Sequence, residues 1–403
     1  MLNKNGVREL AYMVKIDNIL PIESADRVEV AVVGGWRVMV KKDEFKPGDM
    51  AVYFEIDSKV PEREPFMFLA PKHFKVKTQK YFRGTVISQG LIMSLEDFGD
   101  EPWALGMKMR IAEGKDVEHE FLTEVLGVKY SVAEDNKRKS NKVNTEGKYQ
   151  RMAARHPKLA KQKWFRWLMK RGWGKRLLFL FFGKTCDKPK DFPDWIKKTD
   201  EERCENMAWI LNDKRPWIVS EKIDGTSSTY AIDFTKRKPD FIVCSRNVRQ
   251  LDMKQPNYHS EECENNVYWE MAFKYNIENA LFNIAESYGV NKIVLQGETY
   301  GANLQGNIYG IEDRRFAAFN LIFDGIRLNS LTAKAILEEY DIPFVPIVDE
   351  AYILPDDFEE FKLSADGKST ISDSIREGFV YRSVDGEMSF KNVSRNFLIK
   401  KGE

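Results

Sequence analysis

The sequence has little cysteine and little histidine, four of each in 403 residues. Cys186, Cys204, Cys244 and Cys263 stand far apart, and no Cys-x-x-Cys pair occurs. That spacing argues against a zinc ribbon and against a disulfide-stapled scaffold. His73, His119, His156 and His259 are equally scattered, which argues against a histidine-based metal cluster. Long hydrophobic runs are missing too. The most apolar stretch, Leu177 to Phe182, falls far short of the roughly 20 residues that span a bilayer. The first residues, Met1-Leu2-Asn3-Lys4-Asn5, are polar where a signal peptide has its apolar core. The chain therefore reads as reduced and intracellular, with no signal peptide, no transmembrane helix and no membrane partner. Excess charge of either sign is absent as well: 63 basic residues face 62 acidic ones, for a net charge of +1.

Apolar material is sufficient for more than one core. Hydrophobic residues make up 43% and charged residues 31%, the balance of a folded soluble protein, and the length calls for two or three domains. The even overall charge conceals a local asymmetry. Between Lys137 and Lys184 the only acid is Glu146, against Arg151, Arg155, Lys158, Lys161, Lys163, Arg166, Lys170, Arg171, Lys175 and Arg176. Trp164, Phe165, Trp167, Trp173, Phe179, Phe181 and Phe182 are interleaved with them. Trp164, Trp167, Leu168 and Arg171 have amphipathic helical spacing. Two readings follow: a nucleic-acid surface made of cations and aromatics, or a helical linker whose aromatics pack on a neighbouring domain. A helix lying on a membrane surface is a third.

Residues 1–110 read as β-rich. Val28-Glu29-Val30-Ala31-Val32 and Trp36-Arg37-Val38-Met39-Val40 flank a Gly34-Gly35 hairpin signal. Met50 to Ile56 and Thr85 to Met93 supply further strands, and the count suits a small OB-like β-barrel. Residues 111–200 form a basic, aromatic helical linker or insertion, and residues 201–403 alternate strands and helices. The expected class is α+β.

The chemistry lies in six segments of the last region. They are Lys222-Ile223-Asp224-Gly225, Cys244-Ser245-Arg246-Asn247, Leu295-Gln296-Gly297-Glu298-Thr299-Tyr300-Gly301, Phe316-Ala317-Ala318-Phe319, Glu377-Gly378-Phe379-Val380 and Ser389-Phe390-Lys391. A lysine acts as a nucleophile only once its amine is neutral, so the first segment needs burial or nearby cations to work. In this order the segments resemble the covalent nucleotidyltransferase superfamily of ATP-dependent RNA and DNA ligases and mRNA capping enzymes. A β-barrel before this domain, with only Asn392 to Glu403 after it, resembles the RNA ligase family with an N-terminal OB module, the Deinococcus and Naegleria type. Arg83 to Gly90 and Phe192 to Arg203 are similar to that family's barrel signature and lead-in.

The resemblance implies a C-terminal nucleotidyltransferase domain of ATP-grasp-like antiparallel sheets with helices. It implies an ATP-dependent RNA ligase that joins a 3′-hydroxyl RNA end to a 5′-phosphate end, in RNA repair. Lys222 would carry AMP, Glu298 would hold the ribose, Glu377 with Glu298 would hold Mg2+ or Mn2+, and Lys391 would sit on the α-phosphate. Phe316 would stack on adenine, with Phe319 the competing choice. Arg246 would contact ribose or RNA and Arg203 a phosphate. Glu221, beside the nucleophile, belongs to the same nucleotide-binding set. The implied partners are ATP and RNA ends or a nicked duplex, met by a monomer. A capping-type guanylyltransferase and a catalytically dead RNA-binding relative are the alternatives. One departure stands out. Related ligases often carry two lysines one residue apart in the last strand, and here Lys391 is alone, with Ser389 and Val393 in the flanking positions. Lys400, the first domain or the insertion are the candidate sources of the missing cation.

Overall fold

Alternation of apolar and polar residues produces the first strands. In Trp36–Lys41 every second side chain is buried, the pattern of a strand with one face on a core. The computed structural model describes residues 1–4, 7–23, 25–84, 86–131, 159, 161–182, 190–250 and 266–401. Ala11–Lys15, Met50–Phe54 and Leu91–Met93 form one antiparallel sheet, and Asn18–Pro21, Val28–Val33 and Trp36–Lys41 form a second. The expected strand through Gly90 is two strands, since Val86–Gln89 pairs with Thr78–Tyr81 while Leu91–Met93 pairs with Met50–Phe54.

The first domain runs past the expected boundary at 110. Val117, Leu122, Leu126 and Val128 are buried in one cluster with Leu10, Met13 and Phe54, and Lys129–Tyr130 pairs with Ser58–Lys59. A four-residue helix and a two-residue strand carry too little periodicity to be read from sequence. The last domain likewise begins before 201. Lys190–Asp191 pairs with Val248–Arg249, and Glu202–Arg203 lies parallel to Ser389–Val393. Between them stand helices Lys163–Met169 and Gly172–Phe182. The basic residues Arg151, Arg155 and Lys158 lie outside the described residues.

The last domain is two sheets. The larger has seven strands in the order Lys190–Asp191, Val248–Arg249, Phe241–Ser245, Thr226–Asp233, Lys292–Gly301, Arg314–Phe323 and Ile326–Arg327. Helices Val267–Lys274, Ile277–Tyr288 and Ser330–Glu338 cover one face, where Tyr230, Leu295, Phe316, Ile284 and Ile336 share a core. The smaller sheet has the order Glu202–Arg203, Ser389–Val393, Gly378–Ser383, Trp217–Lys222 and Ile347–Tyr352. Its core stacks Tyr381 on Phe390 at 5.0 Å beside Trp217 and Phe361. The chain crosses from the smaller sheet to the larger within Ile223-Asp224-Gly225. Only glycine fits at 225, because a Cβ there would stand 2.3 Å from the Thr299 carbonyl oxygen.

The two domains are joined by buried polar contacts. Asn206 Oδ1 accepts from Trp36 Nε1 at 2.7 Å and Tyr12 Oη at 3.0 Å, while its Nδ2 donates to Glu55 and Glu202, each at 2.8 Å. The Gly35 N–H donates to the Glu205 carbonyl at 2.8 Å. Val393 from the strand Ser389–Val393, with Phe397 and Leu398 from the helix Arg395–Lys401, completes the core around Tyr12, Trp36 and Tyr53 of the barrel. Among the described residues no helix is long and apolar enough to cross a membrane.

Candidate active site

The site forms where the two sheets face one another. The strand Trp217–Lys222 is buried except at its last residue. Successive side chains on a strand point to opposite faces, so Glu221 and Lys222 part company. Lys222 Nζ lies 2.6 Å from Glu377 Oε1, the residue just before the neighbouring strand Gly378–Ser383. Glu298 and Asp224 are the other carboxylates acting on this amine. Burial pulls the Lys222 amine down, but Glu377 and Glu298 outweigh it, and its pKa rises above the ordinary value. The resting nucleophile is therefore a cation. Burial pushes the Glu298 carboxyl up to about 8, with Lys222 opposing and Glu377 and Asp224 adding to the rise.

Lys391 projects from the strand Ser389–Val393 and lies 2.8 Å from Asp200 Oδ1, while Arg246 holds Asp200 Oδ2 at 3.0 Å. Burial brings the Lys391 amine down to about 8; Asp200 resists this, and Arg8, Arg203 and Lys222 reinforce it. Burial works against the Asp200 charge, yet Lys391, Arg8 and Arg246 hold its carboxyl well below the usual range. Asp200 lay within the lead-in read from the sequence, but nothing in its spacing marked it as the shared partner of Lys391 and Arg246.

Three expected contacts are corrected. Glu221 faces away from the nucleotide side. Its carboxylate accepts from the Thr370 N–H at 2.7 Å and from the Ser369 and Thr370 hydroxyls, and so pins that loop. Phe316 pairs with Thr299 and is fully buried on the helix-covered face, edge-on to Tyr230 at 5.5 Å. Glu298 pairs instead with Ala317, on the opposite face. Phe319, the unpaired residue of a bulge opposite Gln296 and Gly297, shares the face of Ala317 and lies near Ile223 and Tyr300, with the Arg382 guanidinium 5.8 Å from its ring. Of the two phenylalanines, Phe319 is therefore the one turned to the cleft, the alternative the sequence left open. Arg203 is buried at the domain joint. Its Nη2 lies 3.2 Å from Asp57 Oδ2, its guanidinium 5.9 Å from the Trp36 ring.

The departure in the last strand also acquires a structural counterpart. Val393 points into the barrel core. The helix Arg395–Lys401 then returns, and Lys401 Nζ lies 2.6 Å from Asp224 Oδ2 and donates to the Gln305 carbonyl at 3.2 Å. Its charge also bears on Glu377. Lys400, the neighbour singled out from sequence, borders two surface hollows of about 400 and 240 Å³ that contain neither Lys222 nor Glu298. One residue of helical phase separates the two lysines, and sequence spacing did not resolve it.

Among the described residues no group of three or more His, Cys, Asp or Glu is arranged to enclose a metal. Glu377 Oε2 is buried without a hydrogen-bond partner, beside the Glu298 carboxyl. This donor set fits an ion of the magnesium class, which takes one or two carboxylates and fills its remaining positions with water and phosphate oxygens.

An RNA ligase family model matches residues 215–401, and an OB-fold domain model matches residues 10–95. The chain is thus an OB-fold domain followed by an RNA ligase family domain. Its fold is that of Naegleria gruberi RNA ligase. The structure of that enzyme with pyrophosphate is 24% identical, with TM-score 0.70, and the match covers 98% of this chain and 99% of that one. A mutant with ATP and Mn is 23% identical at TM-score 0.70 over 99% of each chain. A mutant with AMP and Mn is 23% identical at TM-score 0.69, over 98% of this chain and 99% of that one. No curated protein sequence matches the chain.

Proposed function

We propose that the protein is an ATP-dependent RNA ligase that joins a 3′-hydroxyl RNA end to a 5′-phosphate end. The observation that carries this reading is the position of Lys222: an amine at a sheet crossing, 2.6 Å from Glu377, with Glu298 beside it in a domain matched by the RNA ligase model. The Naegleria structures with ATP, AMP, Mn and pyrophosphate support ATP and a divalent ion as the cofactors.

In the first step the Lys222 amine gives its proton away and attacks the α-phosphorus of ATP. A P–N bond forms, the P–O bond to pyrophosphate breaks, and AMP stays on Lys222. A 5′-phosphate oxygen of RNA then attacks that phosphorus, and the amine departs. Finally the 3′-hydroxyl attacks the activated 5′-phosphate and AMP leaves. Every step sets an in-line nucleophile against an anionic phosphorus, so positioning and charge neutralisation dominate. Lys391, held partly desolvated by burial, is suited to the α-phosphate. Phe319 offers a ring to adenine, and Glu298 accepts from ribose hydroxyls. Lys401 supplies the second cation that the last strand lacks. A divalent ion at Glu377 and Glu298, when bound, neutralises phosphate charge and offsets the carboxylates that keep Lys222 protonated.

The test is incubation with ATP or GTP labelled at the α-phosphate, followed by denaturing electrophoresis. Label from ATP is expected on the wild-type chain and none on Lys222→Ala. A variant that labels at near wild-type level overturns the assignment, and label from GTP alone points to guanylyl transfer. Sealing of nicked RNA, DNA and hybrid duplexes then defines the ends that are joined.

A further inference from the structure

The helices Lys163–Met169 and Gly172–Phe182 pack on one another and leave most of their aromatics uncovered. Phe165 and Leu178 are the buried pair between them, at 1% and 2% exposure. The crossing is tight at Gly174, where a Cβ would stand 2.4 Å from the Leu168 carbonyl oxygen. Trp164, Trp167 and Trp173 remain 47%, 50% and 57% exposed, and Phe181 is 71% exposed. The linker reading, in which these rings pack on a neighbouring domain, is not what the hairpin does. Instead the Arg171 guanidinium lies 3.6 Å from the Trp167 ring centre, and Trp173 meets Trp167 edge-on at 5.9 Å. Residues 161–182 carry Lys161, Lys163, Arg166, Lys170, Arg171, Lys175 and Arg176 and no acid.

We propose that this hairpin is a docking platform for unpaired nucleotides of an RNA strand. An all-cationic segment complements a phosphate backbone, and its association weakens as salt rises. Indole faces framed by guanidinium groups stack on bases, and only unpaired bases have faces to offer. A fully paired duplex presents phosphates alone and gains nothing from the rings. The hairpin thus extends recognition beyond the two ends being joined and biases the protein toward substrates with single-stranded flanks. An anionic membrane surface would also attract cations and indoles. The hairpin's placement in a chain with an RNA ligase domain favours RNA, so the proposal rests on the functional reading above.

The experiment uses the full chain. Binding of a fluorescein-labelled single-stranded RNA of mixed sequence and of a blunt RNA duplex is measured by anisotropy across a salt series. Trp164→Ala/Trp167→Ala/Trp173→Ala is expected to weaken single-strand binding by about tenfold or more, from the loss of stacking, and to leave duplex binding unchanged. Lys163→Glu/Lys170→Glu is expected to flatten the salt dependence for the single strand, by about 0.7 in log–log slope for each phosphate that is no longer neutralised. Wild-type single-strand affinity in the triple variant overturns the proposal, as does equal loss for strand and duplex. Binding to vesicles of mixed phosphatidylcholine and phosphatidylserine that disappears in the triple variant while RNA binding persists also overturns it, in favour of a membrane surface. Label transfer from ATP to Lys222, measured without RNA, reports the ligase reading separately and is unchanged in both variants.

Discussion

Two buried polar regions in this protein are built to different standards. At the domain joint, Asn206 uses both ends of its amide in four hydrogen bonds, while Arg203 beside it reaches Asp57 through Nη2 and keeps Nε and Nη1 buried without partners. In the cleft a few residues away along the same sheet, Glu377 keeps a buried oxygen without a partner, and Glu298 and Lys391 are both pushed to about 8 from opposite directions. The fully paired Asn206 amide fixes geometry; a site holding charges that burial disfavours is prepared for charges that arrive with the substrate. The contrast separates what holds the domains together from what performs the chemistry, and substitutions in each region test it.

The largest expected effect lies in the cleft. Lys391→Ala removes a desolvated cation from the phosphate side, and label transfer to Lys222 is expected to fall by about 10²–10³-fold, the scale for losing one electrostatic stabiliser. Thermal stability should fall much less than the rate, because burial disfavours this cation and Arg8 and Arg246 still compensate Asp200. A matched drop in stability and rate would put Lys391 with the joint instead.

Next in size is the joint. Asn206→Ala strips Trp36 Nε1 of its acceptor and takes a hydrogen bond each from Tyr12, Glu55 and Glu202. Destabilisation of about 3 kcal/mol is expected from buried polar groups left unpaired. Urea unfolding measures it, and a loss under about 0.5 kcal/mol, typical of surface changes, would deny the joint its structural role.

The two regions were also unequally legible in the sequence. The nucleophile turn, Glu298, Glu377 and Lys391 were visible because motif order preserves them. The barrel was visible because Trp36–Lys41 and its neighbours alternate. The joint was not visible: Asn206 sits in a short irregular helix at Cys204–Asn212, and three of its four partners, Tyr12, Trp36 and Glu55, come from a distant part of the chain. Facing was lost where packing, and not periodicity, decides it. Alternation sets Phe316 and Phe319 on opposite faces, and the helices that cover the Phe316 face decide that Phe319 is the one turned to the cleft, a tertiary fact that no local pattern announced. Glu221 illustrates a different limit, since adjacency to a nucleophile on a strand places a side chain on the opposite face.

Lys401 sharpens the comparison from a third side. It belongs to the helix whose Phe397 and Leu398 seal the barrel, yet its charge reaches Asp224 on the nucleophile turn. Lys401→Ala is expected to slow label transfer about tenfold, the scale of one partly exposed charge contact. Lys400→Ala, one position earlier, should leave the rate unchanged. Equal effects of the two substitutions would mean that general positive charge, not placement, is what matters there.

The remaining contrast is one of pH dependence. Glu298 titrates at about 8 in the folded protein against an ordinary 4.5, so between these values the native chain holds a proton that the unfolded chain has released. Stability due to this group is therefore lost as pH rises from about 4.5 to 8. Glu298→Gln cannot titrate. The variant should gain in melting temperature over the wild type, with a margin that widens steadily from pH 5 to pH 8, even as label transfer to Lys222 collapses. A margin that stays flat across this range would mean that Glu298 is already ionised when the site is empty. The contrast between the cleft and the paired Asn206 amide would then fail.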